Sequence, residues 1–250
     1  MFTRINKLTI IRKKKSGRDS SGHISVRHQG GGRKQFLRLI DWKRQKFDIP
    51  AKVIDIQYDP NRTADIALLV YSDGEKSYIL APEKLKIGDS VISSAKAEIK
   101  PGNTLPLKNI PSGIAIHALE MFPGKGAQMV KTAGAAAYIE GIDGQKAQVR
   151  LPSTEIRIFN SNCLATIGQV GNSDLSNQKL TKAGDSRHRG IRPGVRGVAQ
   201  HPDSHPHGGG EGRSSIGMHP KTPWGKVAMG KITRKKKKSS NRLIVKGRKR

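Results

Sequence analysis

The stretch "ADIALLVYSDGEKSYILA" (64–81) sets two apolar runs of strand length on either side of "SDG" (72–74). Both runs are rich in β-branched and aromatic residues, and a short polar segment ending in Gly between them signals a tight hairpin turn. The same pattern extends outward. "HISVRH" (23–28), "FLRLIDWK" (36–43) and "AKVIDIQY" (51–58) precede the hairpin, and "SVISS" (90–94) follows it.

About five short antiparallel strands within about 80 residues predict a small closed barrel, of which the oligonucleotide-binding fold is one. "IKPGNTLPLKNIPSG" (99–113) then reads as a Pro- and Gly-bearing connector. Strand-like runs resume at "IAIHALEM" (114–121), "AAAYIEGI" (135–142), "KAQVRL" (146–151), "TEIRIF" (154–159) and "CLATIGQV" (163–170), with "DG" (143–144) as the next hairpin turn. These predict a second small barrel. The sustained 3.6-residue apolar spacing of a long helix occurs nowhere, so the chain is predicted to be mostly β.

Charge divides the chain in the same way. Residues 1–50 carry 14 Lys and Arg against 3 acids, residues 51–185 carry 15 against 14, and residues 186–250 carry 18 against 2. A near-neutral middle flanked by segments of +11 and +16 is the pattern of a folded body with basic arms. The overall +28 over 250 residues, with only 34% hydrophobic residues, calls for a polyanionic partner, and nucleic acid is the obvious one. No apolar run approaches the roughly 20 residues of a membrane-spanning helix, so no membrane role is expected. The single Cys163, among apolar neighbours in "NCLATIGQV", is expected to be a buried core thiol, compatible with a reducing compartment.

The arms are rich in Gly, Ser and Pro and cannot offset the entropy of ordering by themselves. Trp42 just past the first arm and Trp224 inside the second supply planar rings that can stack on bases or riboses. Triple glycine occurs in each arm, in "RHQGGGRK" (27–34) and "HPHGGGEGR" (205–213), flanked both times by His and Arg. Backbone without Cβ can approach a phosphate closely. Neither copy has the strand-to-helix setting of a nucleotide-binding loop.

His201, His205, His207 and His219, with Asp203 and Glu211 nearby, have a loosely ligand-like spacing but match no zinc motif, and the only Cys is distant. No metal and no cofactor are expected. The Ser and His residues match no nucleophile elbow. A metal-dependent nuclease using the histidine arm is the rival from the enzyme class, and a free architectural nucleic-acid-binding protein is a third reading.

Seven motifs fall together: "RHQGGGRKQFLRLIDWKR", "QYDPNRTADIALLVYSDGEKSYILAP", "IKPGNTLPLKNIPSG", "PGKGAQMVKTAG", "CLATIGQVGN", "RPGVRGVAQHPDSHPHGGGEGR" and "TPWG". In this order and spacing the chain resembles the L2 family of large-subunit ribosomal proteins, in its bacterial and organellar form, from about residue 16 to the C-terminus. The resemblance implies an oligonucleotide-binding barrel followed by a Src-homology-3-like barrel. It gives a basic arm at 1–22, the two barrels at 23–100 and 101–185, and a C-terminal arm at 186–250. It implies a structural protein that is not an enzyme, with arms threaded into large-subunit rRNA near the subunit interface and the peptidyl transferase region. The partners implied are large-subunit rRNA, small-subunit rRNA across the interface, other ribosomal proteins and, indirectly, tRNA.

The rRNA contacts implied on the folded bodies are Arg62 of "DPNR" and Lys131 before "TAG". Lys131 is commonly Arg in that family, so here the charge is kept and the planar fork lost. From the first arm and the strand after it, Arg27, His28, Arg33, Lys34, Arg38, Lys43 and Arg44 are RNA-binding candidates. From the second arm they are Arg187, Arg189, Arg192, Arg196, His207, Arg213, Trp224, Arg234 and Lys235. His205 maps to the histidine that the family ties to peptidyl transferase support. The family's acid directly before it is Ser204 here, with Asp203 one position upstream. The N-terminal arm is shorter than in most bacterial members. Its first 18 residues are basic and free of acid, which suits a bacterial cytoplasmic ribosome and equally a targeting segment for a mitochondrial or plastid one.

Overall fold

The computed structural model describes residues 5–11 and 13–248. Residues 1–4 and 12 of the expected N-terminal arm, and 249–250 of the C-terminal arm, lie outside the described residues. The described chain is mostly β, in antiparallel sheets.

The strands in order are β1 (Thr9–Ile11), β2 (Phe36–Arg38), β3 (Ala51–Gln57), β4 (Ile66–Tyr71), β5 (Lys76–Leu80) and β6 (Ser90–Val91). There follow β7 (Thr104–Pro106), β8 (Ala115–His117), β9 (Leu119–Glu120), β10 (Ala127–Met129), β11 (Ala137–Asp143), β12 (Lys146–Arg150), β13 (Ile156–Asn160) and β14 (Leu164–Ile167). A short helix, α1 (Ala183–His188), and a last strand, β15 (Ile244–Lys246), complete the regular structure.

The opening hairpin forms as its sequence requires. Val70 pairs with Lys76, Tyr71 N–H donates to Glu75 O at 2.9 Å, and Gly74 takes φ 82° at the position where a three-residue loop turns left-handed. Strand β4 is nearly continuous in apolar residues because both of its faces are covered. Ala67, Leu69 and Tyr71 join a core with Val53, Ile79 and Val91, while Ile66 and Leu68 join Tyr78, Leu80 and Val170 on the other face. The sheet order is β5-β4-β3-β6, with a register shift between Val53 and Asp55 in β3.

The second half builds a seven-stranded sheet in the order β15-β13-β12-β11-β8-β14-β7 around Leu105, Ile116, Leu119, Ile139, Val149, Phe159 and Cys163. Cys163 is buried there and burial pushes its thiol up to about 11, so it is an inert core residue.

Several local expectations are corrected. "HISVRH" is not a strand: the Asp19 carboxylate accepts the N–H groups of Ser21 and His23, closing a side-chain turn, and only Ile24 makes a bridge, to Arg18. The connector at 99–113 contains β7, whose Leu105 and Pro106 pair with Ala165 and Leu164. Both arms also contribute strands. β1 pairs with β2, and β15 adds to the edge of the large sheet against Ile156 and Arg157 of β13.

By compactness the chain forms two bodies. One comprises Lys34–Lys179 with the described residues up to Lys13 and from Ser239 onward, and the other comprises Lys14–Arg33 with Leu180–Lys238. The second body has little regular structure beyond α1.

Candidate nucleic-acid interface

On the first body, the turn after β2 decides which side chains face out. The Asp41 carboxylate accepts the N–H groups of Lys43 (3.1 Å) and Arg44 (2.8 Å), and Arg44 takes φ 51°. Lys43 is left exposed and Arg44 is turned inward. Arg44 is 6% exposed, its Nε 3.3 Å from Thr104 Oγ1 and its Nη1 3.3 Å from Tyr71 Oη. This corrects its assignment as an RNA contact: the guanidinium ties two segments of the body together and is not presented to a ligand.

The "DPNR" turn is organised by a buried carboxylate. Asp59 is fully buried, and its Oδ1 accepts the backbone N–H and the side-chain Nδ2 of Asn61, each at 3.0 Å. Its Oδ2 accepts Arg62 Nε at 2.6 Å, and Arg38 Nη1 stands 3.8 Å from Oδ1. A buried acid with this many donors fixes the Arg62 guanidinium in one orientation.

The guanidinium so held lies 5.4 Å from the centre of the Trp42 ring, and Lys131 Nζ lies 4.5 Å from the same ring. Lys131 follows Val130, which sits at φ 55° and accepts Ala118 N–H at 2.9 Å. Burial first, and then the Arg62 charge, hold the Lys131 ammonium below its ordinary range. Among the described residues no carboxylate forms an ion pair with Lys131. Two neighbouring cations on one aromatic ring, of which only Arg62 is paired with an acid among the described residues, leave an excess of positive charge that suits a phosphodiester. Trp42 therefore organises cations here and is not a free stacking platform. Lys34 is exposed, its Nζ 5.9 Å from the Phe36 ring.

On the second body the two Gly-rich arms meet. Gly30 N–H donates to Gly190 O (2.7 Å), Arg33 N–H to His188 O (2.9 Å) and Arg192 N–H to His28 O (3.0 Å). A Cβ on Gly32 would lie 2.7 Å from His188 O. The first triple glycine thus serves the close approach of two protein backbones at Gly30 and Gly32. Arg187, Arg189, Arg192 and Arg196 are exposed along this body, as are Arg213, Arg234 and Lys235. Arg27 Cζ lies 5.2 Å from the centre of the Trp224 ring, which is 72% exposed.

The "HPHGGGEGR" loop is self-organised. His205 is nearly buried, and its Nδ1 accepts His207 N–H at 3.0 Å; His207 Nε2 in turn accepts Lys221 N–H at 2.9 Å. Neutral His205 therefore carries its proton on Nε2 and neutral His207 on Nδ1. Gly208 fits against the Gln200 and His201 carbonyl oxygens, each 2.5 Å from where its Cβ would stand. Burial, then His207 and Arg27, push the His205 imidazole below its ordinary value. Asp203 faces His201, 3.1 Å from its Nδ1, and among the described residues no carboxylate forms an ion pair with His205. Two histidines that accept backbone N–H groups are shaped for loop architecture. Among the described residues no group of three or more His, Cys, Asp or Glu is placed to hold a metal ion.

Two family models cover most of the chain: "Ribosomal Proteins L2, RNA binding N-terminal domain" matches residues 5–93, and "Ribosomal Proteins L2, C-terminal domain" matches residues 100–225. The chain belongs to the ribosomal protein L2 family. It is 52% identical over 244 residues to the large ribosomal subunit protein uL2 of Dinoroseobacter shibae, covering 98% of this chain and 87% of that one. It is 54% identical over 235 residues to the protein of the same name from Roseobacter denitrificans, covering 94% and 84%.

The L2 N-terminal model takes in β1 to β6 with Trp42 and Arg62, and the C-terminal model takes in Lys131, the histidine loop and Trp224. The Trp42 cluster is thus built from both matched regions of the L2 chain. Sequence reasoning missed Asp59 as its organiser. The signal was present in "DPNR", where an acid three residues before an Arg at a Pro-containing turn can fold back onto it.

Proposed function

We propose that this chain is a structural component of the large ribosomal subunit that binds large-subunit rRNA directly and is not an enzyme. The observation that carries this is the convergence of Arg62 and Lys131 on Trp42, 5.4 and 4.5 Å from one ring, with Trp42 and Arg62 inside the region that the L2 RNA-binding model matches. Asp59 offsets part of the charge, and the remainder is matched by an RNA phosphate. The exposed arginines of the second body, with Arg27 against Trp224, add backbone contacts and a stacking face.

In this reading the body built on Lys34–Lys179 docks on the rRNA as a folded unit, and the arm at 186–250 reaches the peptidyl transferase region. The protein supports subunit association, contacts small-subunit rRNA and other ribosomal proteins, and assists tRNA binding indirectly. It works in a cytoplasmic ribosome of bacterial type. His205 and His207 shape the loop that positions RNA, and they transfer no proton.

Titration of the full-length protein with an in vitro transcribed large-subunit rRNA fragment tests the reading. Arg62→Ala or Lys131→Ala should weaken binding by about 1 to 3 kcal/mol and lower the salt slope by about one charge each. A double variant that binds like the wild type rejects it.

A further inference from the structure

We infer that the β9–β10 hairpin is a preorganised finger that stacks an unpaired rRNA nucleobase on Phe122. The inference rests on the chain being an rRNA-binding protein, and it adds a site apart from the Trp42 cluster and the arms. The hairpin tip is "MFPGKG" (121–126). Phe122 is 54% exposed at this tip, and Lys125 Nζ lies 5.5 Å from the centre of its ring. A single exposed aromatic residue is ordinary. What shapes this one is not.

Beneath the tip, Glu120 is 1% exposed and has no cation within ion-pairing distance among the described residues. Its carboxylate is satisfied by backbone: Gly126 N–H at 2.8 Å, Gly124 N–H at 3.3 Å and Leu164 N–H from β14 at 3.0 Å. Burying a carboxylate is costly unless donors compensate it, and here two of the three donors belong to the tip itself. The tip is closed by Lys125 N–H to Phe122 O at 3.2 Å, and the strand beyond it is anchored by Ala127 N–H to Trp42 O at 2.7 Å. Such a turn presents its aromatic ring without a large ordering cost on binding.

The chemistry around the ring selects the occupant. Lys125 stands over it, and the Lys43 stem packs beside Gly126, with Lys43 Cγ 3.2 Å from where a Cβ would sit. An apolar pocket of a protein partner gains nothing from an ammonium group standing over the ring. A splayed nucleotide does, because its base takes the open ring face and its phosphate takes the Lys125 ammonium.

The test uses full-length protein and transcribed large-subunit rRNA, read by affinity, salt slope and base-specific chemical probing. Phe122→Ala should weaken binding about 5- to 150-fold, leave the salt slope unchanged and expose one or two bases to modification. Phe122→Trp should restore affinity and protection. Wild-type affinity in Phe122→Ala, a loss that Trp does not rescue, or a lowered salt slope overturns the finger. Normal rRNA protection with loss of a neighbouring ribosomal protein from the assembled particle assigns Phe122 to a protein pocket and overturns it too. The Arg62/Lys131 double variant fails independently, so rejection of the finger leaves the rRNA-binding function to be judged by that variant.

Discussion

Protonating His117 would place a charge at a fully buried site. Burial, and secondarily the Arg44 charge, lower its pKa from 6.5 to about 4, against the upward pull of its Nδ1–H···O bond to Gly168 at 2.8 Å. The unfolded chain takes up this proton at a higher pH than the folded one. Stability should therefore be full above about pH 6.5, fall as the pH drops towards 4, and flatten below that. The loss is on the order of a few kcal/mol. Chemical denaturation between pH 7 and 4 measures it, and His117→Asn, which retains a donor and does not titrate, should flatten the profile. His205 poses a different question, since its ring accepts a backbone N–H and, among the described residues, no carboxylate pairs with it. In ribosomes carrying His205→Gln at full occupancy, peptide-bond formation should fall modestly with an unchanged pH profile. A drop of several orders of magnitude with loss of a titration would assign it chemistry. Gly197→Ala tests the same loop sterically, because the new Cβ would stand 2.5 Å from the His205 ring.

Among the elements, β15 makes the clearest prediction. It covers the edge of β13 through Ile156 and Arg157, so truncation before Ser239 should lower the stability of the first body by about 1 to 2 kcal/mol in thermal or urea unfolding. The sequence shows why such an element escapes notice. "ADIALLVYSDGEKSYILA" carries its own turn chemistry and apolar pattern, so β4 and β5 are legible locally. "RLIVKGRK" is three apolar residues among cations, and only its distant partner makes it a strand. β1 and β7 are hidden for the same reason. In the converse case, "HISVRH" alternates like a strand, yet the Asp19 carboxylate takes the His23 N–H and the Gly17 carbonyl takes those of Ser25 and Val26, nearer acceptors than any ladder. Of the candidate interface, motif resemblance pointed to Arg62 and Lys131 individually. Their meeting on Trp42, and the inward turn of Arg44, depend on contacts between residues up to 89 positions apart along the chain, counted from Trp42 to Lys131, which no local pattern encodes.

For the whole molecule, the +28 charge makes affinity a function of salt. If six or more phosphates are contacted, rRNA binding should weaken by about a thousandfold or more between about 50 and 200 mM salt, as a filter-binding series would show. Specific particle association should survive washes that strip weaker, purely electrostatic complexes. Because β15 returns to the sheet that also holds β13 and β14, the segment 180–238 is closed by protein pairing on both sides. A tail can enter a finished opening end first. A loop held at both ends has no end to lead with, so wherever RNA surrounds this segment, either the RNA closes over a loop already laid down or β15 pairs after the segment has passed. Assembly of this region is then a question of topology as well as affinity, and tight binding alone cannot rescue the wrong sequence of steps.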